Sequence, residues 1–272
     1  MPTSENFKRV VVAVIAIPVI LAATYLGGYY FFIFVAVVGL VSFYEFSILV
    51  KNKGADANLL WGLFVIFFLL LNKYLNLIEL STFILLTSLS LLTLELFRNK
   101  GSAILNLGVS FLGIFYVGIF LTSLIALREL YPDTNEYERG AFLLFSIFAS
   151  IWIGDSAAYY GGTALGKHKL FPRVSPKKSW EGAIFGFIFS VGAMVLAKFI
   201  MLDFLSLLNS VIIGVIVGTA GQIGDLVESL LKRDSAIKDS SSLIPGHGGF
   251  LDRFDSLIFS APVIWLYLKY FA

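Results

Sequence analysis

The sequence predicts an all-α, polytopic integral membrane protein, and three observations predict it. Hydrophobic residues make up 58% of the chain and charged residues 14%, against about 45–50% and about 25% in soluble domains. Mean hydropathy is +0.88. Apolar runs of membrane-crossing length, roughly 20 residues, recur from one end of the chain to the other. About nine candidate spans can be drawn, at residues 10–25, 29–50, 57–72, 75–97, 104–127, 140–161, 182–201, 205–231 and 253–271.

In chain order, Lys8 and Arg9 precede the first apolar run, which continues almost at once into the second. That pattern reads as an uncleaved signal-anchor rather than a cleaved leader. The third run is short and the fourth carries Glu79 and Glu95, so this pair is the least regular. With the N-terminus inside, only Lys73, Arg128, Arg139, Lys198 and Lys269 of the 20 Lys and Arg fall outside. Fusing the third and fourth runs would bury Lys73 and reverse the bias, so the positive-inside rule favours nine spans with a cytoplasmic N-terminus. The expected location is the inner or plasma membrane, with a cytoplasm-facing site. The chain has no cysteine, which excludes disulfides, thiol catalysis and zinc–thiolate sites. The longest mostly polar stretch, residues 162–181, leaves no room for a soluble domain.

One integral domain, 1–272, is the economical reading. Within it, residues 1–140 have short, weakly polar loops and read as scaffold and lipid-facing helices. Residues 141–272 carry the polar groups and read as the half with the site.

Acids inside spans are costly, about 2.5–3.5 kcal/mol at mid-bilayer, and are functional candidates by default. Asp155 lies in Gly-Asp-Ser-Ala-Ala-Tyr-Tyr near the end of the sixth run, and Asp225 in Gly-Gln-Ile-Gly-Asp on the eighth. Helical spacing places Asp225, Ser229 and Lys232 on one stripe, with Glu228 beside it. Glu45 and Glu95 fit a blander role better, that of acids holding helices together. In the loop 166–182, Ser175 before Pro176 reads as a helix start, which puts Lys177 and Lys178 in the first turn. Cations there oppose the helix dipole unless an anion binds, so Arg173, Ser175, Lys177, Lys178 and Ser179 are candidates for phosphate contact. A positive-inside anchor for anionic lipid is the alternative, and it explains Lys167 and Lys169 well.

The most polar stretch, Ser229–Asp255, lies between two membrane-length runs. Lys232, Arg233 and Lys238 can neutralise a polyphosphate. Pro245-Gly-His-Gly-Gly249 is a loop whose backbone N–H groups can approach an anion, so Gly248 and Gly249 are anion-site candidates. His247 fits a phosphate donor better than a general base, because a phosphomonoester already carries about −1.5 to −2 charge. Asp252 and Asp255 stand one helical turn apart with Arg253 between them. Carboxylates of this kind hold Mg²⁺ in ones or twos beside substrate phosphates.

Ser229-x-Leu-Lys-Arg, Lys238-Asp239 and Pro245-x-His-Gly-Gly-Phe-x-Asp-Arg-Phe-Asp255 together resemble the signature of the phosphatidate cytidylyltransferases (CDP-diacylglycerol synthases). The Asp155 and Ser175–Gly182 segments resemble the family's other polar segments. The resemblance implies a membrane enzyme, a homodimer, that uses CTP, phosphatidic acid and Mg²⁺. It implies metal on Asp225 and Asp252 and allows a monovalent ion such as K⁺ at the same centre; Asp155 and Asp255 read as a second tier, a further ligand or orienting shell. No nucleic-acid partner is expected. Rival readings are a CTP-dependent polyprenol kinase, an ether-lipid cytidylyltransferase, a sugar-phosphate transferase acting on polyprenyl phosphate, and a transporter. Against a transporter, the acids gather at one end of their spans instead of lining a path.

Overall fold

The computed structural model describes residues 4–241, 243–244 and 248–272. It is overwhelmingly helical. The helices are α1 (Ser4–Leu26), α2 (Gly28–Lys51), α3 (Leu59–Leu75), α4 (Leu80–Arg98), α5 (Ala103–Gly113), α6 (Phe120–Arg128), α7 (Glu138–Leu165), α8 (Trp180–Ile200), α9 (Leu207–Ile216), α10 (Gln222–Asp234) and α11 (Leu251–Tyr270). α5 runs into α6 through a π-helical segment, Ile114–Ile119, and α9 into α10 through another, Val217–Gly221. Among the described residues six helical rods are long and apolar enough to cross a membrane, namely α2, α4, α5–α6, α7, α8 and α9–α10. Val10–Leu26 and Leu59–Leu75 are shorter apolar helices. α11 carries Asp252, Arg253, Asp255 and Lys269 and falls outside the six.

The chain ends these helices where its polar residues permit. Asn58, Ser102, Ser179 and Ser206 cap α3, α5, α8 and α9 by accepting a backbone N–H of the first turn, as short polar side chains do. Asn76 and Asn99 close α3 and α4 at φ 51° and 45°, a left-handed conformation that asparagine tolerates.

One element departs from the expected all-helical chain. Lys169–Phe171 (β1) and Ser175–Ser179 (β2) form an antiparallel hairpin, with Lys169 opposite Ser179 and Phe171 opposite Ser175. The helix start expected at Ser175-Pro176 is therefore four residues too early. The residue before a proline is pushed to extended conformations, and Ser179 is the better cap: its Oγ accepts Gly182 N–H at 3.2 Å. Lys177 and Lys178 sit on a strand, so no conflict with a helix dipole arises.

Packing divides the chain into two compact units, Met1–Ala126 with Leu231–Arg253, and Leu127–Leu230 with Phe254–Ala272. This division does not follow the change in polarity near residue 140. In the first unit Phe43, Phe46, Ile66, Leu69, Leu70 and Leu121 are buried, and glycines make room for the rings: a Cβ at Gly113 would stand 2.7 Å from both Phe43 and Phe46. Glu95 is held by Arg98 at 2.9 Å and Asn106 at 2.7 Å, the helix-pairing role read from the sequence.

In the second unit α7 and α8 approach closely. Ser150 Oγ donates to Ser190 O at 2.9 Å and Ser190 Oγ to Ser150 O at 3.2 Å. A Cβ at Gly182 would lie 2.7 Å from Ala158 O and 3.0 Å from Gly162 Cα. Small residues at a helix crossing are the usual means of close approach in membranes, where no hydrophobic force joins the helices. Gly182→Ala should cost about 1–3 kcal/mol, the usual range for an overpacked contact, read as a lower unfolding temperature in detergent.

Candidate active site

The polar residues singled out in the sequence gather into two clusters, one in each unit. In the first unit the last turn of α10 carries Lys232 and Arg233, and α11 begins with Leu251 and Asp252. Lys232 Nζ donates to Asp252 Oδ1 at 2.6 Å. Asp252 Oδ2 accepts Ser240 N–H at 3.0 Å, Ser240 Oγ–H at 2.9 Å and Gly249 N–H at 2.8 Å. The pair is nearly sealed from solvent, with 11% of the lysine side chain and 5% of the aspartate exposed. Charge-assisted bonds of this density fix a carboxylate in one orientation.

The loop glycines serve that carboxylate directly. Gly248 has φ +80°, a conformation that favours glycine, and a Cβ there would meet Asp252 Oδ2 at 2.7 Å. A Cβ at Gly249 would meet Ser240 Oγ at 2.0 Å. The Gly249 N–H expected to face a ligand anion thus faces the protein's own anion. His247, with Pro245 and Gly246, lies outside the described residues. Arg233 NH1 donates to Ile237 O at 3.2 Å and so closes the turn after α10. Lys238 and Arg253 are exposed.

Glu45, on α2, was set aside in the sequence as a helix-pairing acid, and its surroundings differ from that reading. It is fully buried. It accepts Ser241 Oγ–H at 2.6 Å, Ser240 Oγ–H at 3.0 Å, Phe250 N–H at 2.9 Å and Leu251 N–H at 2.8 Å. The costly insertion of an acid into the second span was the available signal. Partners nearly two hundred positions away were not.

In the second unit Asp225 stands in the first turn of α10, directly after the π-helical segment. Lys178 Nζ on β2 donates to Asp225 Oδ2, and Ser229 Oγ donates to Asp225 Oδ1 at 3.3 Å. The helical stripe of Asp225 and Ser229 is real, and the hairpin brings Lys178 to it. The hairpin is itself tied down: Glu181, in the first turn of α8, accepts Lys167 N–H at 3.1 Å and His168 N–H at 3.3 Å, and contacts His168 Nδ1 at 2.7 Å. Ser175 is half-buried and Ser179 buried, while Lys177 and Arg173 are exposed, the latter near the Phe171 ring. Asp155 lines a small cleft with Gly154, Gly186, Ser190, Gln222 and Ser256. Asp255 is buried and accepts the Ser256 N–H at 2.6 Å.

Among the described residues no group of three or more His, Cys, Asp or Glu is arranged to hold a metal. Mg²⁺ needs no such cage, since one or two carboxylates complete its shell with water and substrate phosphates. Asp225 has the right chemistry: its side chain is 35% exposed, and its partners are the Ser229 hydroxyl and the Lys178 ammonium. Asp252 is a carboxylate of the same kind, with the Lys232 ammonium on Oδ1 at 2.6 Å. On each carboxylate a lysine ammonium occupies a position that a cation would take.

The chain matches the cytidylyltransferase family from residue 7 to residue 271. A phosphatidate cytidylyltransferase of Synechocystis is 31% identical, covering 98% of this chain and 97% of its own length. One from Brucella suis is 34% identical over 97% of this chain and 93% of its own. The Bacillus subtilis protein of the same name is 31% identical over 97% and 98%. With a family match over residues 7–271 and relatives that cover 97–98% of it, the chain belongs to the cytidylyltransferase family, among the phosphatidate cytidylyltransferases.

Proposed function

We propose that this protein transfers the cytidylyl group of CTP to phosphatidic acid, giving CDP-diacylglycerol and pyrophosphate. The observation that carries the reading is the pair of lysine–aspartate contacts, Lys178 with Asp225 and Lys232 with Asp252. Each lysine can pass from its carboxylate to a phosphate oxygen, and each carboxylate is then free for a cation. A phosphatidate phosphate oxygen attacks the α-phosphorus of CTP. A new P–O bond forms, the α–β bridging bond breaks, and pyrophosphate leaves with the electron pair.

The nucleophile carries its charge already, so no general base is required. The chain's task is to position the phosphates and neutralise them, the main source of catalysis in such displacements. Mg²⁺, when bound, would supply charge neutralisation at the phosphate oxygens, and Asp225 and Asp252 are the carboxylates proposed to hold it. Asp155 and Asp255 are proposed as supporting carboxylates, and K⁺ as a companion ion. Lys178 and Lys232, with the exposed Lys177, Arg173, Lys238 and Arg253, are proposed to meet the triphosphate and the lipid phosphate. The nine spans, the cytoplasm-facing site and a homodimer complete the proposal, and the positive-inside bias supports its orientation.

The test uses detergent-solubilised protein with CTP labelled in the cytidine or, in parallel, in the γ-phosphate, with phosphatidic acid, and with Mg²⁺ present or chelated. Cytidine label should enter the lipid phase only when acceptor and metal are both supplied, and γ-label should leave as pyrophosphate. Transfer of γ-phosphate without cytidine would instead identify a lipid kinase. Light scattering of the same sample reads the dimer.

A further inference from the structure

Glu45 makes no contact that the proposed chemistry uses, yet its buried carboxylate accepts four hydrogen bonds. We infer that Glu45 is a positioning residue: by pinning the loop that cradles Asp252 at both ends, it sets where that carboxylate stands. This rests on the reading that Asp252 belongs to the active site.

Four donors converge on the Glu45 carboxylate, and they come from two places in the chain. Ser240 and Ser241 hydroxyls donate from the segment after α10, at 3.0 and 2.6 Å. Phe250 and Leu251 N–H groups donate from the start of α11, at 2.9 and 2.8 Å. The latter two are among the N–H groups that a helix start leaves without an intrahelical acceptor, and a negative charge is favourable there. The Ser240 hydroxyl also reaches Asp252 Oδ2 at 2.9 Å. Its single proton serves one carboxylate at a time, so this residue couples the two acids. Asp252 in turn takes N–H groups from Ser240 and Gly249, and each of these directly adjoins a donor to Glu45. α2 therefore reaches the chemistry through a chain of bonds, although it brings no ligand to it.

Glu45→Gln keeps size and shape but turns one acceptor oxygen into a donor that faces other donors. Outer partners of metal-binding carboxylates typically govern affinity by about 10–100-fold. The half-saturating Mg²⁺ for CDP-diacylglycerol formation should rise by that factor. Hydrogen–deuterium exchange, measured with neither CTP nor lipid, should quicken in peptides covering 239–252 and stay unchanged in α3 and α4. Glu45→Asp, which keeps the charge but shortens the reach by about 1.5 Å, should recover part of both effects.

Glu95→Gln provides the comparison, as a buried acid of the same unit held by Arg98 and Asn106. It should lower the unfolding temperature and leave the Mg²⁺ midpoint alone. If Glu45→Gln behaves like Glu95→Gln, Glu45 is structural and the inference fails. Should Glu45→Gln not fold, Ser241→Ala removes the 2.6 Å donor and is read the same way: a wild-type Mg²⁺ midpoint and loop exchange would overturn the inference. A wild-type protein that forms no CDP-diacylglycerol would overturn the proposed function instead, while the exchange measurement still reads Glu45.

Discussion

Asp252→Asn should sharply lower CDP-diacylglycerol formation and destabilise the protein at the same time. The carboxylate carries two burdens. Its Oδ2 takes three hydrogen bonds and its Oδ1 takes the Lys232 ammonium. An amide in its place presents an NH₂ group either to a lysine or to two backbone N–H groups, and neither can accept. Removing one partner of a buried pair leaves the other charge uncompensated, at a cost of about 3–5 kcal/mol. The loss of a fixed charge-stabilising group adds a fall in turnover of about 10²–10³. Labelled CDP-diacylglycerol measured beside thermal unfolding checks both halves. Lys232→Met should separate them, because Asp252 would keep its three other donors: activity should fall as far while the unfolding temperature falls less. If Asp252→Asn unfolds like wild type, the hydrogen-bonded cradle contributes nothing to stability.

The elements written in local pattern were legible in the sequence, and those that depend on distant partners were not. Apolar runs of membrane length gave the helices, because an isolated helix satisfies its own backbone and only such segments survive in lipid. Asp225 and Ser229 share a stripe because four residues close one helical turn. Lys178 was singled out in the sequence for phosphate contact on the strength of a helix start, and its partner in the structure is Asp225. The Ser175-Pro176 start failed because Ser179 caps better, and the strand that results brings Lys178 to Asp225 by another route. Glu45 was visible as a costly acid, yet nothing near residue 45 encodes a loop near residue 240. The two π-helical segments also escaped notice. They widen a helix without altering its hydrophobic period enough to see, although such bulges often sit near functional sites, and here one immediately precedes the turn that carries Asp225.

Asp225→Asn should give the opposite profile to Asp252→Asn, a kinetic defect in a stable protein. Its carboxylate is 35% exposed and its lysine partner 30%, and pairs as open as this contribute about 0–1 kcal/mol. Asparagine also keeps an oxygen for the Ser229 hydroxyl, so the unfolding temperature should hardly move. What it loses is the charge that would hold a cation. Turnover should fall by about 10²–10³ at every Mg²⁺ concentration, with no recovery at the top of the titration. Near-wild-type CDP-diacylglycerol formation across that titration would remove Asp225 from the metal assignment. Lys178→Met distinguishes the partner's role. If the lysine only neutralises Asp225, its loss should tighten Mg²⁺ binding by freeing the carboxylate. If it passes to the triphosphate, as proposed, the KM for CTP should rise and turnover fall whatever the Mg²⁺ concentration. The first outcome lowers the Mg²⁺ midpoint, whereas the second leaves it in place and raises the KM for CTP, so titrating the single variant with each in turn decides between a resting counter-ion and a working cation.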